Sequence, residues 1–394
     1  MQDLRNPEFS RRFDTRPRWV FSAPGRTELS GNHTDHQHGR VLAAAVDLDT
    51  RATVAKNSLG CLRILSEGYP LCRVALDDLA QKPEEAGTTA ALIRGVAARF
   101  VQLGATLSGV DAYVTSTVLP GSGLSSSAAF EVLIGTILNR LFCGGRFTPV
   151  QIAQIGQWAE NVYFGKPCGL MDQTASAVGG VVAIDFADPA VPQVRRLDAD
   201  LHALGYALCI LDSGADHAAL TDEYAAIPAE MNAAAAVFGK TCLRDVDEGD
   251  FYAHLPEVRR AAGDRAALRA MHFFDDDRRV ARQADALARG DFDEFLRLVN
   301  ESGRSSWMRL QNVVPRGQTR EQPMAVALAL AEKLLGGRGA CRVHGGGFAG
   351  TIQAFVPLEQ LEEFRRGMEA VLGAGSCHVL SVRAAGGVLL EEYA

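Results

Sequence analysis

The sequence predicts an α+β protein of two domains, and three observations support this. The chain has 394 residues, about two to three times the size of a typical domain. Strand-like and helix-like patterns are mixed throughout, but they do not alternate strictly enough for a doubly wound sheet. A charged stretch with two prolines, 188–200, looks like a surface crossing and places a boundary near Leu201. We therefore expect one domain over residues 1–200 and a second over residues 201–394.

In the first domain, strands are predicted where short β-branched and aromatic runs end at turn residues. Helices are predicted where apolar residues recur every three or four positions. The run RWVFSA, for example, stops at Pro24 and Gly25. In VDAYVTSTV, apolar and polar residues alternate as in a strand with one solvent-exposed face. In chain order we expect strands over 18–23, 51–55, 62–65, 110–118 and 181–184, and helices over 88–103, 127–139 and 149–162.

The second domain begins with the apolar run YALCIL, which we expect to form a buried strand. Long alanine-rich helices follow, to about residue 299, and a glycine loop lies between two later strands. The expected elements are strands over 206–211, 340–343, 351–355 and 378–382, and helices over 323–335 and from about residue 358.

Composition excludes several classes of protein. Lys and Arg number 40 and Asp and Glu 47, a net charge of −7, which disfavours nucleic acid or an anionic membrane as partner. No apolar run approaches the ~20 residues that span a bilayer, and the start, MQDLRNPEFSRRFD, lacks the apolar core of a signal peptide. The 8 cysteines are scattered without a C-x-x-C pair. We expect a cytoplasmic protein with reduced thiols and with no membrane or nucleic-acid partner; protein partners are left open.

The stretch GRTELSGNHTDHQHGR, residues 25–40, crowds His33, Asp35, His36 and His38 into six positions. One interpretation is a metal site, but the spacing H-x-D-H-x-H is no zinc signature with three or four converging ligands. The other interpretation is a polar pocket, in which short donors and acceptors surround a small polyhydroxylated substrate.

A glycine- and serine-rich turn joins a predicted strand to a predicted helix in VLPGSGLSSSAAFEV, residues 118–132. Glycines let the backbone approach a ligand, and the first turn of a helix presents unpaired N–H groups that suit phosphate. The alternative is a helix that is simply N-capped by serine. The stretch is not a P-loop, which requires G-x-x-x-x-G-K-[ST].

Two further motifs are weaker by themselves. HGGGFAGT, residues 344–351, has three consecutive glycines, which indicate either an unusual turn or close contact with a ligand. In AENVYFGKPCGLMDQ, residues 159–173, Glu160 ends one helix and Asp172 lies at or near the start of the next. That aspartate is either a helix cap, or a carboxylate that accepts a proton or lies beside a metal.

In this order, PGR…GNHTDHQHG, LPGSGLSSSA, CGLMDQ and HGGGFAG resemble the motifs of the galactokinase family, within the GHMP superfamily of small-molecule kinases. The resemblance spans nearly the whole chain. It implies a GHMP kinase fold, with an N-terminal domain like domain 2 of ribosomal protein S5 and a ferredoxin-like C-terminal domain. The active site is expected in the cleft between the domains. There ATP, with Mg²⁺, would phosphorylate the anomeric hydroxyl of galactose.

The resemblance also implies roles for individual residues. Asp172 matches the catalytic aspartate beside the anomeric hydroxyl, and Arg26 matches the arginine that pairs with it and with the transferring phosphate. Ser126 and Glu160 match the positions that hold Mg²⁺. The other assignments are sugar contacts at Asn32, His33, Asp35, Gly169 and Tyr224, ATP contacts at Pro120, Gly121, Ser122, Gly123, Leu124, Ser125, Ser126 and Ser127, and a supporting loop at Gly345, Gly346 and Gly347.

The chain departs from the family pattern at four positions. Asn32 stands where the family has glutamate, Glu28 where it has asparagine, His36 where it has tyrosine and Ala349 where it has glycine. The family's glutamate typically accepts a hydrogen bond from the hydroxymethyl group of the sugar. Because Asn32 is neutral and can also donate, it would tolerate a carboxylate at carbon 6.

The departure at Asn32 leaves more than one sugar open as the substrate. Galacturonic acid, N-acetylgalactosamine and arabinose remain alternatives to galactose. A regulatory homologue that binds galactose and ATP without turnover is an alternative of another class, which the intact Asp172 and Arg26 disfavour. A kinase of a non-sugar substrate such as mevalonate is disfavoured by the MDQ segment and Tyr224.

Overall fold

The computed structural model describes residues 7–118, 123–166, 168–214 and 220–393. Strands and helices of this part of the chain form two sheets with helices packed on them. The strands are β1 (Trp19–Ser30), β2 (Arg40–Asn57), β3 (Cys61–Ser66), β4 (Cys72–Ala75), β5 (Gly109–Ser116), β6 (Val181–Asp185), β7 (Gln193–Leu197), β8 (Tyr206–Asp212), β9 (Ala340–Val343), β10 (Thr351–Pro357), β11 (Cys377–Leu380) and β12 (Val388–Glu392). The helices are α1 (Pro7–Phe13), α2 (Thr89–Gln102), α3 (Ser126–Phe142), α4 (Pro149–Ala159), α5 (Met171–Val178), α6 (Thr221–Ala236), α7 (Glu248–Ala253), α8 (Leu255–Ala262), α9 (Asp264–Ala288), α10 (Phe292–Ser305), α11 (Pro323–Leu335) and α12 (Leu361–Leu372).

The first sheet has the strand order β12-β1-β2-β5-β3-β4, and β6 and β7 extend it from the other half of β2. The long strand β2 makes this possible, because its first residues pair with β6 and its last residues pair with β5. Helices α2, α3, α4 and α5 cover one face over a core that includes Phe21, Val54, Phe100, Leu133 and Ile152. This arrangement brings the first turns of α3 and α5 close to β1.

The second sheet has the antiparallel order β11-β8-β10-β9, and its chain order is β-α-β-β-α-β when the helices between β8 and β9 are taken as one crossing. This is the ferredoxin-like arrangement, as expected from the resemblance. Helices α11 and α12 pack on one face against Ile352 and Val356. On the other face, Phe295 of α10 meets Phe355 in a core cluster that also contains Leu29 and Leu42 of the first sheet. The two domains therefore share buried apolar surface.

The last strand corrects the predicted division of the chain. Residues 388–392 were assigned to the second domain with the rest of 201–394, and no strand was predicted there. They form β12, which pairs antiparallel with β1, with Trp19 opposite Glu392 and Ser22 opposite Val388. The chain thus returns to the first sheet at its end. The five residues Val388–Glu392 are too short and too acidic to predict as a strand, and the free edge of β1 provides their partner.

Most other predicted elements are present, with shifted ends. The expected helices over 88–103 and 323–335 correspond to α2 and α11, and Thr88 caps α2 by accepting from the backbone N–H of Ala91. The stretch 188–200, expected to be a surface crossing, contains β7. Strand β2 begins eleven residues before the predicted strand 51–55, and α1 and β4 were not predicted. No helix in the described ranges is long and apolar enough to cross a membrane.

Candidate active site

A partly buried ion pair joins the motif at residues 25–40 to the motif at residues 159–173, which are the two motifs of the first domain that lie farthest apart in the sequence. Arg26 lies on β1, and Asp172 lies in the first turn of α5. Arg26 Nε donates to Asp172 Oδ1 at 2.7 Å and Nη2 donates to Oδ2 at 2.6 Å, so the two planar groups face each other edge to edge. Arg26 is 9% exposed at its side chain, whereas 31% of the Asp172 side chain remains open to a ligand. The predicted pair of Arg26 and Asp172 is thus present in the structure.

The surroundings of Asp172 keep its carboxylate ionised. Burial by itself raises the pKa of this group, but the Arg26 charge and the hydrogen bonds from Arg26 and Ser125 outweigh it and hold the pKa below the ordinary value. The positive end of α5 acts in the same direction. Arg26 is fixed in turn by a hydrogen bond from Nη1 to the carbonyl oxygen of Gly123. The guanidinium therefore links β1, α5 and the glycine-serine turn.

The described part of the glycine-serine turn begins at Gly123; the predicted ATP contacts Pro120, Gly121 and Ser122 lie outside the described residues. Gly123 has a φ of +73°, and a Cβ there would lie 3.1 Å from His344 Nδ1, so both conformation and space favour glycine. Ser125 has a φ of +54°, which is unusual for a residue with a side chain, and its hydroxyl donates to Asp172 Oδ2. An unfavourable backbone angle at this point indicates a site that function constrains.

A cavity of about 450 Å³ opens beside the first turn of α3. Ser126 and Ser127 lie at its edge, and Thr50, Tyr69 and Phe130 are among the residues that line the rest. The first residues of a helix leave backbone N–H groups unpaired, so this end of the cavity suits phosphate and the apolar remainder suits a flat ring. The cavity is large enough for a nucleotide that places its phosphates on α3.

Glu160 lies at the end of α4, where a π-helical turn, Glu160–Phe164, begins. Its side chain is 3% exposed, and four donors surround the carboxylate. Oε1 accepts from Ser127 Oγ at 3.4 Å and from Lys166 Nζ at 3.3 Å, and Oε2 accepts from Cys168 Sγ at 3.2 Å and from Gln173 Nε2 at 2.9 Å. The serine that contacts Glu160 in the described chain is thus Ser127, whereas the expected Mg²⁺ position Ser126 faces the cavity.

These residues fit a magnesium ion that is shared with phosphates. Mg²⁺ prefers oxygen ligands and usually takes only one or two of them from the protein. Glu160 and the serines of α3 are such oxygens, and the Lys166 ammonium on Glu160 Oε1 shows that a cation is accommodated there. In the described ranges, no group of three or more His, Cys, Asp or Glu side chains is arranged to hold a metal by itself.

The crowded histidine stretch folds into a tight turn. The turn places His33 beside Gly346 of the glycine loop and Asp35 beside Gly169, which lies shortly before Asp172. His33 has a φ of +60°, and its Nε2 hydrogen-bonds to the carbonyl oxygen of Gly346 at 3.0 Å. Burial, with the charge of His36, lowers the pKa of His33 to about 3, so the neutral ring donates to that carbonyl and leaves Nδ1 as an acceptor. A Cβ on Gly169 would overlap with Asp35 Oδ2, so the predicted contacts Asp35 and Gly169 are neighbours.

The glycine loop and Tyr224 close the same region from the second domain. Tyr224 Oη donates to the carbonyl oxygen of Gly347 at 2.9 Å, and a Cβ on Gly346 would lie 2.7 Å from the Tyr224 ring. Burial raises the pKa of Tyr224 to about 12, so the phenol stays protonated. Gly345 and Gly346 present their carbonyl oxygens to Asn32 and His33. The loop thus holds the histidine stretch from the second domain.

Asn32, which was predicted to contact the sugar, is bonded to protein groups in the structure. The residue is only 1% exposed, and both donors of its amide are used, because Nδ2 donates to Glu28 Oε1 at 3.1 Å and to the Gly345 carbonyl oxygen at 2.6 Å. Its Oδ1 accepts from Asn312 Nδ2 at 2.7 Å. The amide thus binds protein groups of both domains and holds the turn that carries His33 and Asp35.

Several residues of the site were not predicted. Gln173 contacts both Glu131 and Glu160, and His344 joins Thr27 to Thr351 by hydrogen bonds of 3.0 and 2.8 Å. The sequence does carry a signal for Glu131, which is a lone acidic residue in the apolar helix α3. No pattern in the sequence indicates that Gln173 and Glu131 meet, because the two lie 42 positions apart.

Two family models and a curated relative match this chain. The family model "GHMP kinases N terminal domain" matches residues 91–180, and "Galactokinase galactose-binding signature" matches residues 7–56. A galactokinase of Streptomyces coelicolor is 33% identical over 370 residues, which cover 93% of this chain and 92% of that protein.

Solved structures agree in fold. Galactokinase of Lactococcus lactis complexed with galactose has a TM-score of 0.82 at 23% identity, covering 97% of this chain and 98% of its own. Mevalonate kinase of Methanococcus jannaschii has a TM-score of 0.64 at 12% identity, covering 94% and 99%. The two structures support the GHMP kinase fold, and the identity to the Streptomyces protein over nearly the whole chain decides the family: the chain belongs to the galactokinase family.

Proposed function

We propose that this protein transfers the γ-phosphoryl group of ATP to the anomeric hydroxyl of galactose, giving galactose 1-phosphate and ADP. The observation that carries the proposal is the bidentate pair of Arg26 and Asp172 beside the first turn of α3. Phosphoryl transfer needs positioned reactants and charge neutralisation more than covalent help from the enzyme. The pair, the turn and the cavity supply the parts for both.

Asp172 is proposed to accept the proton of the attacking hydroxyl. Its carboxylate is ionised at neutral pH, because Arg26 and Ser125 hold its pKa low, and it is partly exposed toward the cleft. A low pKa makes the Asp172 carboxylate a weak base. Its main contribution is therefore to orient the hydroxyl and to stabilise the positive charge that the hydroxyl acquires as it attacks. A dissociative transfer requires no stronger base, since the hydroxyl proton leaves late.

Arg26 is proposed to hold Asp172 and the transferring phosphoryl group together. Three of its N–H groups are used by Asp172 and Gly123, and its guanidinium has five. The remaining donors, one on each terminal nitrogen, are available to phosphate oxygens. The ATP phosphates would lie on the N–H groups of α3 and its serines, with the base in the cavity lined by Tyr69 and Phe130.

Glu160 and the hydroxyls of Ser126 and Ser127 are proposed to hold Mg²⁺ together with the phosphates. When bound, the ion would neutralise phosphate charge as it shifts toward the leaving group. The contact between Glu160 Oε1 and the Ser127 hydroxyl supports this role.

Galactose is the preferred substrate, and Asp35, His33, Gly169 and Tyr224 are proposed to surround it. The Lactococcus relative was solved with galactose, and the galactose-binding signature covers the histidine stretch. Galacturonic acid was left open because Asn32 was expected to face carbon 6. The burial of the Asn32 amide among protein groups removes that reason.

A cytoplasmic location is part of the proposal. All 8 cysteines are free thiols, and Cys209 and Cys377 remain unbridged although they lie on neighbouring strands. This pattern is typical of a reducing compartment.

A coupled assay of ADP release tests the proposed function across galactose, galacturonic acid, N-acetylgalactosamine, arabinose and mevalonate. We expect the highest kcat/KM with galactose, and loss of turnover with every sugar in Asp172→Asn. A higher kcat/KM with another sugar would identify that sugar as the substrate, and the proposed mechanism would stand. Binding of galactose and ATP without any ADP release would identify a regulatory homologue.

A further inference from the structure

Gln173 follows Asp172 directly, yet it faces away from the ion pair. Its Nε2 donates to two carboxylates at once, to Glu131 Oε2 at 3.0 Å and to Glu160 Oε2 at 2.9 Å. Gln173 is fully buried, and Glu131 and Glu160 are 1% and 2% exposed. The orientation of the amide is fixed by its surroundings, because the opposite orientation would place its oxygen against both carboxylates.

This contact determines which oxygen of Glu160 is available to a ligand. Oε2 is occupied on the inner side by the Gln173 amide and by the Cys168 thiol. Oε1 is therefore turned to the outer side, where Ser127 of α3 and the exposed Lys166 approach it. Loss of the amide would leave the carboxylate with one inner donor and free it to rotate.

The arrangement is unfavourable for stability. Glu131 Oε1 and Gln173 Oε1 are both buried without a hydrogen-bond partner. An unpaired buried oxygen costs about 1–3 kcal/mol, and burying two carboxyl groups beside one amide adds a desolvation cost. A core selected only for stability would carry apolar groups of similar volume here. A function for the amide explains why the polar group is retained.

We propose that Gln173, anchored on Glu131, is a positioning residue that holds the Glu160 carboxylate with Oε1 toward the first turn of α3 and so sets the affinity of the nucleotide complex for Mg²⁺. The inference rests on the proposed function, in which Glu160 is an Mg²⁺ ligand. Groups that orient metal ligands without touching the metal typically change metal affinity 10- to 100-fold when they are removed.

The test measures binding without turnover. A non-hydrolysable ATP analogue is titrated calorimetrically into the protein at a series of Mg²⁺ concentrations. Gln173→Met keeps the length of the side chain and removes the amide, and we expect the half-saturating Mg²⁺ concentration to rise by roughly 10- to 100-fold. Galactose binding in the absence of nucleotide should stay unchanged.

Thr174→Val is the matched control. Thr174 is the next residue of the same helix, is fully buried, and has a hydroxyl without a hydrogen-bond partner. We expect the Mg²⁺ requirement of this variant to equal that of the parent. If both variants raise the requirement equally, the effect belongs to the packing of α5 and the proposal is wrong.

Glu131→Met is a second, independent test of whether Gln173 positions Glu160. Because Glu131 is proposed to act only through Gln173, the single variants and the double variant should raise the Mg²⁺ requirement by a similar factor. Effects that multiply in the double variant would contradict this chain of contacts. If Gln173→Met does not fold, Gln173→Asn is measured in its place, because its shorter amide cannot bridge both carboxylates and should give the same increase.

Glu160→Gln distinguishes the inference from the function on which it rests. If Glu160→Gln leaves the Mg²⁺ requirement unchanged, the metal assignment fails and the inference fails with it. If Glu160→Gln raises the requirement while Gln173→Met does not, the metal assignment stands and the positioning role of Gln173 is overturned.

Discussion

At the scale of single residues, Arg26 and Asp172 show how far a motif can be interpreted without coordinates. Both were expected from their resemblance to family motifs, and the structure places them in a bidentate contact. The contact itself could not be predicted from periodicity or composition, since the residues lie 146 positions apart on a strand and a helix. Their catalytic roles remain predictions.

Asp172→Asn should therefore fold, bind ATP and lose most of kcat. Asparagine keeps the shape of the side chain but cannot take up a proton, and loss of a positioned base or charge typically costs ~10²–10⁴-fold. Steady-state kinetics with galactose provide the measurement, and an unaltered KM would assign the loss to the transition state. Turnover within about threefold of the parent would remove Asp172 from the mechanism.

The contact between Asn32 and Glu28 could not be predicted from the sequence. Each appeared as a separate departure from the family pattern, in which asparagine and glutamate occupy the opposite positions. In the structure the two side chains are hydrogen-bonded, because Gly31, with a φ of +94°, bends the chain at the end of β1. Glu28 also pairs with the buried Arg342 at 2.9 Å. The two departures therefore lie in one contact of this chain.

Asn32→Asp keeps the size of the side chain and should destabilise the protein. An aspartate oxygen would replace the Nδ2 donor next to Glu28 Oε1 and the Gly345 carbonyl oxygen, so three acceptors would meet in a buried place. We expect a loss of about 3 kcal/mol in the free energy of unfolding, measured by urea titration.

The double variant Glu28→Gln/Asn32→Asp provides the control for this prediction, because the introduced glutamine amide could donate to the introduced aspartate. It should recover about half of the loss. A loss that is simply additive in the double variant would show that the two residues do not act as a pair.

At the scale of elements, strong helical and strand patterns were interpreted correctly, and context-dependent ones were not. The expected helix over 323–335 has the same bounds in α11, because proline starts it and glycine follows its end. Strand β12 and strand β7 could not be predicted, since each is short and half charged and forms only because a sheet edge is free. The π-helical turn after α4, which directs Glu160 inward, has no signal in the sequence.

The contact between the histidine turn and the segment before α5 leads to a prediction for Gly169. Its φ is not positive, so alanine is allowed by the backbone, and the obstacle is the end of the Asp35 side chain. Gly169→Ala should thus leave the stability nearly unchanged but turn Asp35 away from the sugar. We expect the KM for galactose to rise by roughly 10- to 100-fold while the KM for ATP stays the same.

Gly249→Ala is the matched control in the same assay. A Cβ there would also meet an aspartate oxygen, Asp247 Oδ1 at 3.0 Å, but on α7, which contributes no residue to the site. Its two KM values should equal those of the parent. An unaltered galactose KM in Gly169→Ala would show that Asp35 does not contact the sugar.

At the scale of the whole molecule, the domains are joined by buried polar contacts as well as by a common apolar core. Thr27, Glu28 and Leu29 of β1 bond to His344, Arg342 and Gln353 of the second domain, respectively. The sequence indicated two domains but not this junction, because its members lie more than 300 positions apart. These contacts fix β1, which carries Arg26, against the strands of the second domain.

The junction should make stability depend on pH through His344. Burial lowers its pKa to about 3, assisted by Arg26 and Arg342 and opposed by Asp172. The unfolded chain protonates this imidazole below pH 6.5, and the folded protein does not. The free energy of unfolding should therefore fall as the pH is lowered from about 6.5 toward about 3, by about 2 kcal/mol at pH 5 from this group.

His344→Gln isolates that contribution, since all other titrating groups are retained. Urea unfolding of parent and variant at about pH 7 and about pH 5 gives the comparison. The parent should lose about 2 kcal/mol more than the variant between the two values. Equal losses would mean that His344 is protonated in the folded protein.

The central claim is that this molecule phosphorylates galactose at its anomeric oxygen. The most direct measurement is phosphorus NMR of a reaction containing the purified protein, ATP, Mg²⁺ and galactose. We expect the γ-phosphate signal of ATP to disappear and a sugar monophosphate signal, coupled to the single anomeric proton, to grow in equal amount. Neither change should occur with Asp172→Asn. A product whose phosphorus couples to the two protons on carbon 6, or ATP that remains unchanged in the presence of galactose, would contradict transfer to the anomeric oxygen.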